Sequence, residues 1–371
     1  MKKKILFLIH DLGHGGAEKV LVNLVNNMDR SKFDISVTAL FGGGVNEQFL
    51  KPDIHYRSFF SREFRGNSHI MKLLSPSQLH KLFIKETYDV EIAYLEGPSA
   101  RIISGCRAKE TKLVSWIHCT MRQESDISIG FRNYREACSC YQRMDTIYPV
   151  SNGVQSSFLA LCPDVQNTKV LYNTNESDHI LQCQHEAVLP DLFPAEEFAI
   201  CGVGKVVSVK GFDRLARIHK RLREEKYPVH CYILGVGPDQ TIIQKYLDEN
   251  GLSDSFTFLG YQTNPYKYVS KCDLFVCASF AEGFSTAATE ALIVGTPVCT
   301  VEVSGMKEML GEHNEWGIVT ENSEEALYQG IKDLLDHPDK LTHYKEKAIE
   351  RGKTFSTKNT VRAVEEMLLR L

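Results

Sequence analysis

Several features are missing from this 371-residue chain, and each absence removes a class of protein. No apolar run approaches the length of a membrane span; the opening run, Ile5 to Ile9, stops at His10-Asp11 and suits a buried first strand better than a signal peptide. Proline is scarce, at 12 residues, and no low-complexity tract occurs, which excludes collagenous and largely disordered chains. The 11 cysteines are odd in number, form no Cys-x-x-Cys, and in part sit inside apolar runs (Cys231, Cys277, Cys299), so they read as reduced core residues of a cytoplasmic protein. No Asp-x-Asp is present, and Asp89-Val90-Glu91 falls at the start of a strand, the wrong end for a site, so no metal and no other cofactor is expected. A net charge of −4 without a basic motif gives no support for nucleic-acid binding.

What is present is the length of two domains, each large enough to bury its own core. Charge is uneven: residues 1 to 180 hold 22 Lys/Arg and 19 Asp/Glu, leaving the remainder acidic. Such a basic first half suits an anionic acceptor or membrane surface, or simply a solvated face. Apolar β-branched runs alternate with amphipathic stretches throughout, the pattern of parallel sheets covered by helices. Strands are expected at 5–9, 35–41, 90–95, 113–118, 146–150 and 169–172, then at 198–203, 229–234, 256–259, 274–278, 297–301 and 317–319. The fold expected is α/β, with a first Rossmann-like domain over 1–182, a linker over 183–197 containing Pro190 and Pro194, and a second Rossmann-like domain over 198–353. A last helix, 354–371, is expected to cross back to the first domain, and Asn322 with Glu325 gives a capping signal ahead of the polar tail.

Ligands of open α/β sheets bind beyond the C-terminal strand ends, so loops that follow strands carry the candidate chemistry. The first loop, His10-Asp-Leu-Gly-His14-Gly15-Gly16-Ala17-Glu18, lets the backbone approach a ligand at a helix N-terminus, or is a tight turn. His118 ends the fourth long strand, where it suits either a hydrogen bond into a site or a structural role. Lys205 and Lys210 flank the loop opening the second half, where two cations can neutralise a diphosphate. Gly235-Val236-Gly237-Pro238 follows a strand, but Gln240 stands where a dinucleotide fingerprint needs glycine, which argues against a nicotinamide cofactor. The most informative stretch is Glu282-Gly283-Phe284-Ser285-Thr286, followed by Glu290. Gly283 permits a turn, Ser285 or Thr286 caps a helix, its amides are open to an anion, and Glu290 reaches back toward the helix start.

Taken in order, Gly15-Gly16-Ala17-Glu18, His118, Val150-Ser-Asn-Gly153, Asn173, Lys210-Gly211-Phe212 and the glutamate pair Glu282 and Glu290 make the chain resemble glycosyltransferase family 4. The resemblance implies a GT-B fold, two Rossmann-like domains facing across a cleft, and a retaining, metal-independent transfer from a nucleotide diphosphate donor, UDP-sugar favoured. It implies that Gly15 and Gly16 line the diphosphate and acceptor side and that His118 contacts the transferred sugar. Lys210 would hold the phosphates, Glu282 with the amides of Gly283, Phe284 and Ser285 the sugar and phosphate, and Glu290 the ribose. Gly235, Val236 and Tyr261 would border the base. Lys205 stands where the family usually has arginine, which keeps the charge but loses bidentate geometry. The implied partners are a hexose-type sugar nucleotide and a glycan or lipid-linked acceptor, as in bacterial surface polysaccharide assembly. Between 59 and 85, Phe59, Phe64, Ile70, Leu73 and Leu82 among Arg62, Arg65, Lys72, Lys81 and Lys85 resemble an interfacial surface, or a core-facing helix with a basic outer side. The former implies peripheral attachment to an anionic membrane from the cytoplasmic side. The alternatives are a sugar-nucleotide epimerase of the same fold and a non-catalytic sugar-nucleotide or glycan-binding protein.

Overall fold

The computed structural model describes residues 2–13, 15–189 and 192–371, so His14 of the first loop and Pro190 of the linker lie outside the described residues. The backbone forms two six-stranded parallel sheets, and the chain divides into two compact units, Met1–Asn175 with Thr357–Leu371, and Glu176–Ser356.

The first unit holds β1 (Lys3–Ile9), β2 (Phe33–Phe41), β3 (His55–Phe60), β4 (Val90–Tyr94), β5 (Lys112–Ile117) and β6 (Thr146–Pro149), in the order β3-β2-β1-β4-β5-β6. Its helices are α1 (Gly16–Asn27), α2 (Asn67–Leu73), α3 (Pro76–Phe83), α4 (Pro98–Ile103), α5 (Glu124–Ile127), α6 (Tyr134–Gln142) and α7 (Asn152–Leu161). Register is set by apolar residues buried on both faces, with Ile5 opposite Ile35 on one side and Val90 on the other. Strand order reverses between β1 and β4, so the loops after these two strands flank the switch point where ligands of such sheets bind. The expected strand at 169–172 is not formed: Lys169 and Leu171 donate backbone bonds to Ile147 and Pro149 of β6, yet only a single bridge, at Thr168, pairs with the sheet. The sixth strand is instead β3, whose largely exposed edge position leaves it without the apolar pattern of a buried strand.

The second unit holds β7 (Phe198–Val203), β8 (Val229–Leu234), β9 (Phe256–Gly260), β10 (Leu274–Cys277), β11 (Val298–Val301) and β12 (Ile318–Thr320), in the order β12-β11-β10-β7-β8-β9. Its helices are α8 (Ser177–Cys183), α9 (Phe212–Glu224), α10 (Gln240–Glu249), α11 (Tyr266–Val269), α12 (Thr286–Ile293), α13 (Met306–Leu310), α14 (Glu324–Asp336) and α15 (Pro338–Gly352). Phe212, Leu215, Ile218 and Leu222 line the buried face of α9, one helical period apart, against Ile200, Ile233 and Val276 of the sheet. Here the switch point falls between β7 and β10. The boundary between the units precedes the expected linker because α8 packs on α11 and α12, with Asn264 donating to the Cys183 carbonyl at 2.9 Å. The cap of α14 is Ser323, whose hydroxyl accepts from the Ala326 amide at 3.1 Å, and not Asn322, whose side chain accepts from Arg214. The last helix, α16 (Thr357–Arg370), belongs to the first unit: Lys3 Nζ donates to the Leu368 carbonyl, and Glu365 accepts from the Asp29 amide. Among the described residues no helix is long and apolar enough to cross a membrane.

Candidate functional site

In the second unit the loops after β7 and β10 are bound to each other. The Phe280 amide donates to the Val209 carbonyl at 2.8 Å, and Lys210 Nζ meets Glu282 Oε1 at 2.6 Å. The same carboxylate oxygen accepts from Ser279 Oγ at 2.6 Å, which fixes its direction. Gly211 takes a left-handed φ of +67°, and a Cβ there would lie 2.0 Å from the Ala278 carbonyl oxygen, so only glycine brings Lys210 this close to Glu282. Burial, with the Glu282 charge beside it, raises the Cys277 thiol and keeps it protonated.

Helix α12 begins directly behind this pair. Ser285 is its cap, accepting from the Ala288 amide at 3.3 Å, and the helix dipole presents partial positive charge at this end. Glu290 lies a little over one turn in, largely buried, where Tyr266 donates to its Oε1 at 3.4 Å. Phe284 is buried against Phe355, which anchors the loop from below. The loop after β8 adjoins the loop after β7: the Val206 amide donates to the Val236 carbonyl, and a Cβ on Gly235 would strike the Gly204 carbonyl at 1.9 Å. Val236 and Tyr261 expose their apolar surfaces, and Lys205 is exposed on its loop. Lys210, Glu282, Ser285 and Glu290 thus cluster at the ends of β7 and β10, with Lys205, Gly235, Val236 and Tyr261 on the flanking loops.

In the first unit, Gly15 caps α1 with no side-chain bond of its own, and the Glu18 carboxylate folds back over it, within 1.9 Å of where a Gly15 Cβ would stand. His10 and Asp11 pair at 2.7 Å; this hydrogen bond raises the imidazole and lowers the carboxyl from their ordinary values. His118 is buried at the end of β5, its ring 4.8 Å from that of Tyr94, and loss of solvent drives its pKa down to about 3. The neutral ring's Nε2 has no hydrogen-bond partner among the described residues, nor have the Tyr94 hydroxyl and Trp116 Nε1 beside it. Glu96 was not anticipated from sequence. Its Oε2 accepts from the His118 backbone amide at 3.0 Å, and burial raises its carboxyl, as it does that of Glu18. It follows Leu95, held at a φ of +127°, a conformation that costs a branched residue of the order of 1–3 kcal/mol and recurs at functional sites. The signal available in the sequence was its place, directly after a strand at the switch point.

His80, Glu91 and Cys106 have ligand atoms within 4.8 Å of one another, the spacing of a metal-holding group, but Glu91 sits near the N-terminal end of β4, away from the loops above. The 2.7 Å bond from His80 accounts for the buried carboxylate.

Residues 190–351, which include every candidate residue of the second unit, match the family described as Glycosyl transferases group 1. Over 380 aligned residues the chain is 28% identical to the N-acetylgalactosamine-N,N'-diacetylbacillosaminyl-diphospho-undecaprenol 4-alpha-N-acetylgalactosaminyltransferase of Campylobacter jejuni, covering 99% of this chain and 100% of that one. It is 22% identical over 309 residues to the lipopolysaccharide 1,6-galactosyltransferase of Salmonella typhimurium, covering 80% of each chain. Among solved structures, HepE of Anabaena in complex with UDP superposes with a TM-score of 0.78 at 20% identity, covering 100% of both chains. The chain is therefore similar over its whole length to glycosyltransferases of bacterial glycan assembly, and its fold is the GT-B class with two Rossmann-like units. These relatives favour transfer over epimerisation.

Proposed function

We propose that this chain is a retaining glycosyltransferase of family 4 that moves a hexose-type sugar, 2-acetamido sugars included, from a nucleotide diphosphate, with UDP favoured, to a glycan or lipid-linked acceptor. The observation that carries the proposal is the joined pair of loops in the second unit, where the Lys210 ammonium and Glu282 carboxylate meet in front of the start of α12, with Glu290 one turn behind. In this reading the donor diphosphate takes the Lys210 ammonium and the amides around Ser285, Glu282 turns to the sugar hydroxyls, and Glu290 binds ribose. The leaving diphosphate is stabilised by lysine and the helix dipole without a divalent metal, and its own oxygen takes the acceptor proton as the acceptor arrives on the face the diphosphate leaves. His118, neutral at pH 7, offers the sugar a hydrogen bond without adding charge.

The acceptor side rests on the first unit. Ile70 is 56% and Leu73 79% exposed, and Arg132 donates to the carbonyls of Lys72 and Leu73, which fixes the end of α2. Met71, Leu79 and Phe83 of the same segment are buried, so the stretch divides into a core face and an outer face of apolar and basic residues. That outer face suits an anionic membrane on the cytoplasmic side and a lipid-linked acceptor held there.

Thermal stabilisation by UDP, GDP, dTDP and CMP, each with and without EDTA, tests the donor site. The expected result is stabilisation by one diphosphate that survives EDTA and falls about tenfold in affinity, about 1.4 kcal/mol, in Lys210→Ala and Glu290→Ala. No response to any nucleotide would overturn the transferase reading in favour of a binding role.

A further inference from the structure

Two arginines in this protein are almost wholly buried, and they are treated differently. Arg101 is matched by Glu136, with Nε and Nη2 each 3.0 Å from a carboxylate oxygen. Arg214, the third residue of α9 and only 2% exposed, has no carboxylate partner among the described residues. Its Nη2 donates to the Ala278 carbonyl, its Nη1 to Asn322 Oδ1 at 2.9 Å, and its guanidinium lies 4.2 Å from the centre of the Phe280 ring. The nearest acids are engaged elsewhere: Arg217 holds Asp213 at 3.0 Å and Glu324 at 2.8 Å. Burial lowers the Arg214 pKa, but from a starting value so high that the group stays charged. An unmatched cation taken out of water is costly to keep, and its place in the fold shows where its field falls. The carbonyl it holds, Ala278, is the one that packs on Gly211, and the ring above it, Phe280, is bonded through its amide to Val209. It therefore stands directly behind both loops that carry Lys210 and Glu282.

We propose that Arg214 is a positioning residue of the donor site: it locks the 278–282 loop against the 208–211 loop and adds a fixed, water-shielded positive charge behind the place where the donor's diphosphate binds. The proposal rests on reading that place as a diphosphate site. It also meets the departure at Lys205, since an exposed lysine is screened by water and salt, whereas a guanidinium covered by Phe280 is not.

Isothermal titration of UDP, UMP and uridine into wild type, Arg214→Met and Arg214→Lys separates charge from packing. Arg214→Met is expected to weaken UDP about tenfold and uridine less than about twofold, with Arg214→Lys recovering most of the loss. Phe280→Ala removes a half-exposed ring and spares the core; by admitting water to the guanidinium it should weaken UDP about threefold and leave uridine unchanged. Equal losses for UDP and uridine, no loss in either variant, or no recovery with lysine would overturn the proposal. Hydrogen exchange of the Phe280–Gly283 amides without nucleotide gives an independent reading. It should quicken about tenfold in Arg214→Met and return toward wild type in Arg214→Lys, and unchanged exchange would overturn the positioning role. If wild type itself binds none of UDP, GDP and dTDP, the donor-site reading fails, and the exchange result alone decides whether Arg214 holds the loop.

Discussion

Three buried histidines, His118 in the first unit and His219 and His230 in the second, sit where protonation opposes folding, and burial lowers all three. His118 and His219 are each driven to about 3 by loss of solvent, and His219 keeps a 2.9 Å bond to Ser255 through Nε2. An unfolded histidine titrates near 6.5, so the unfolded state takes up a proton first as pH falls. The folded state is thus fully favoured above pH 6.5, and the advantage is lost progressively from there down toward pH 3, by about 2 kcal/mol per group at pH 5. Thermal unfolding followed from pH 7.5 to 5 should show the midpoint falling. In His219→Asn the fall assigned to the second unit should become shallower, with His230 left to supply the remainder. Lys210 and Glu290 could be picked out of the sequence because their offsets from glycine and from a helix start carry the meaning. Arg214 could not, because what distinguishes it is the absence of a carboxylate partner among the described residues, which has no spacing, and Glu96 offered only its place after a strand, the strain at Leu95 being invisible in sequence.

At the scale of elements, the proposed donor site depends on two short joints. Removing the cap in Ser285→Ala leaves the Ala288 amide without its bond and should lower the stability of the second unit by about 1 kcal/mol, measured by urea unfolding. Gly211→Ala places a methyl against the Ala278 carbonyl in a left-handed conformation, and should both destabilise by about 1–3 kcal/mol and abolish nucleotide stabilisation by moving Lys210 off Glu282. The buried strands were readable from their apolar runs, since a strand covered on both faces takes mainly apolar residues and admits a polar one only with a partner, as His80 serves Glu91 in β4. The edge strand β3 was not, because exposure admits Arg57 and Ser58 into it. The cap of α14 was misplaced by one residue for a related reason: Asn322 and Ser323 are equally good caps in isolation, and only the demand of Arg214 for an acceptor decides between them.

For the whole molecule, the exposed apolar and basic face of the first unit predicts a location as well as a chemistry. Flotation with vesicles containing anionic lipid should carry the protein upward at low salt, less at high salt, and much less in the Ile70→Glu, Leu73→Glu double variant. Failure of wild type to float at low salt would remove the membrane from the proposal while leaving donor binding intact. Helix α16 has a separate consequence. Val364 and Leu368 are fully buried in the first unit, and Asp29 and Lys3 bond to residues from this last segment. The second unit is therefore, in chain order, an insert within the first. During synthesis the second unit has all of its residues outside the ribosome before the first unit can acquire helix α16, so the half begun first is the half completed last.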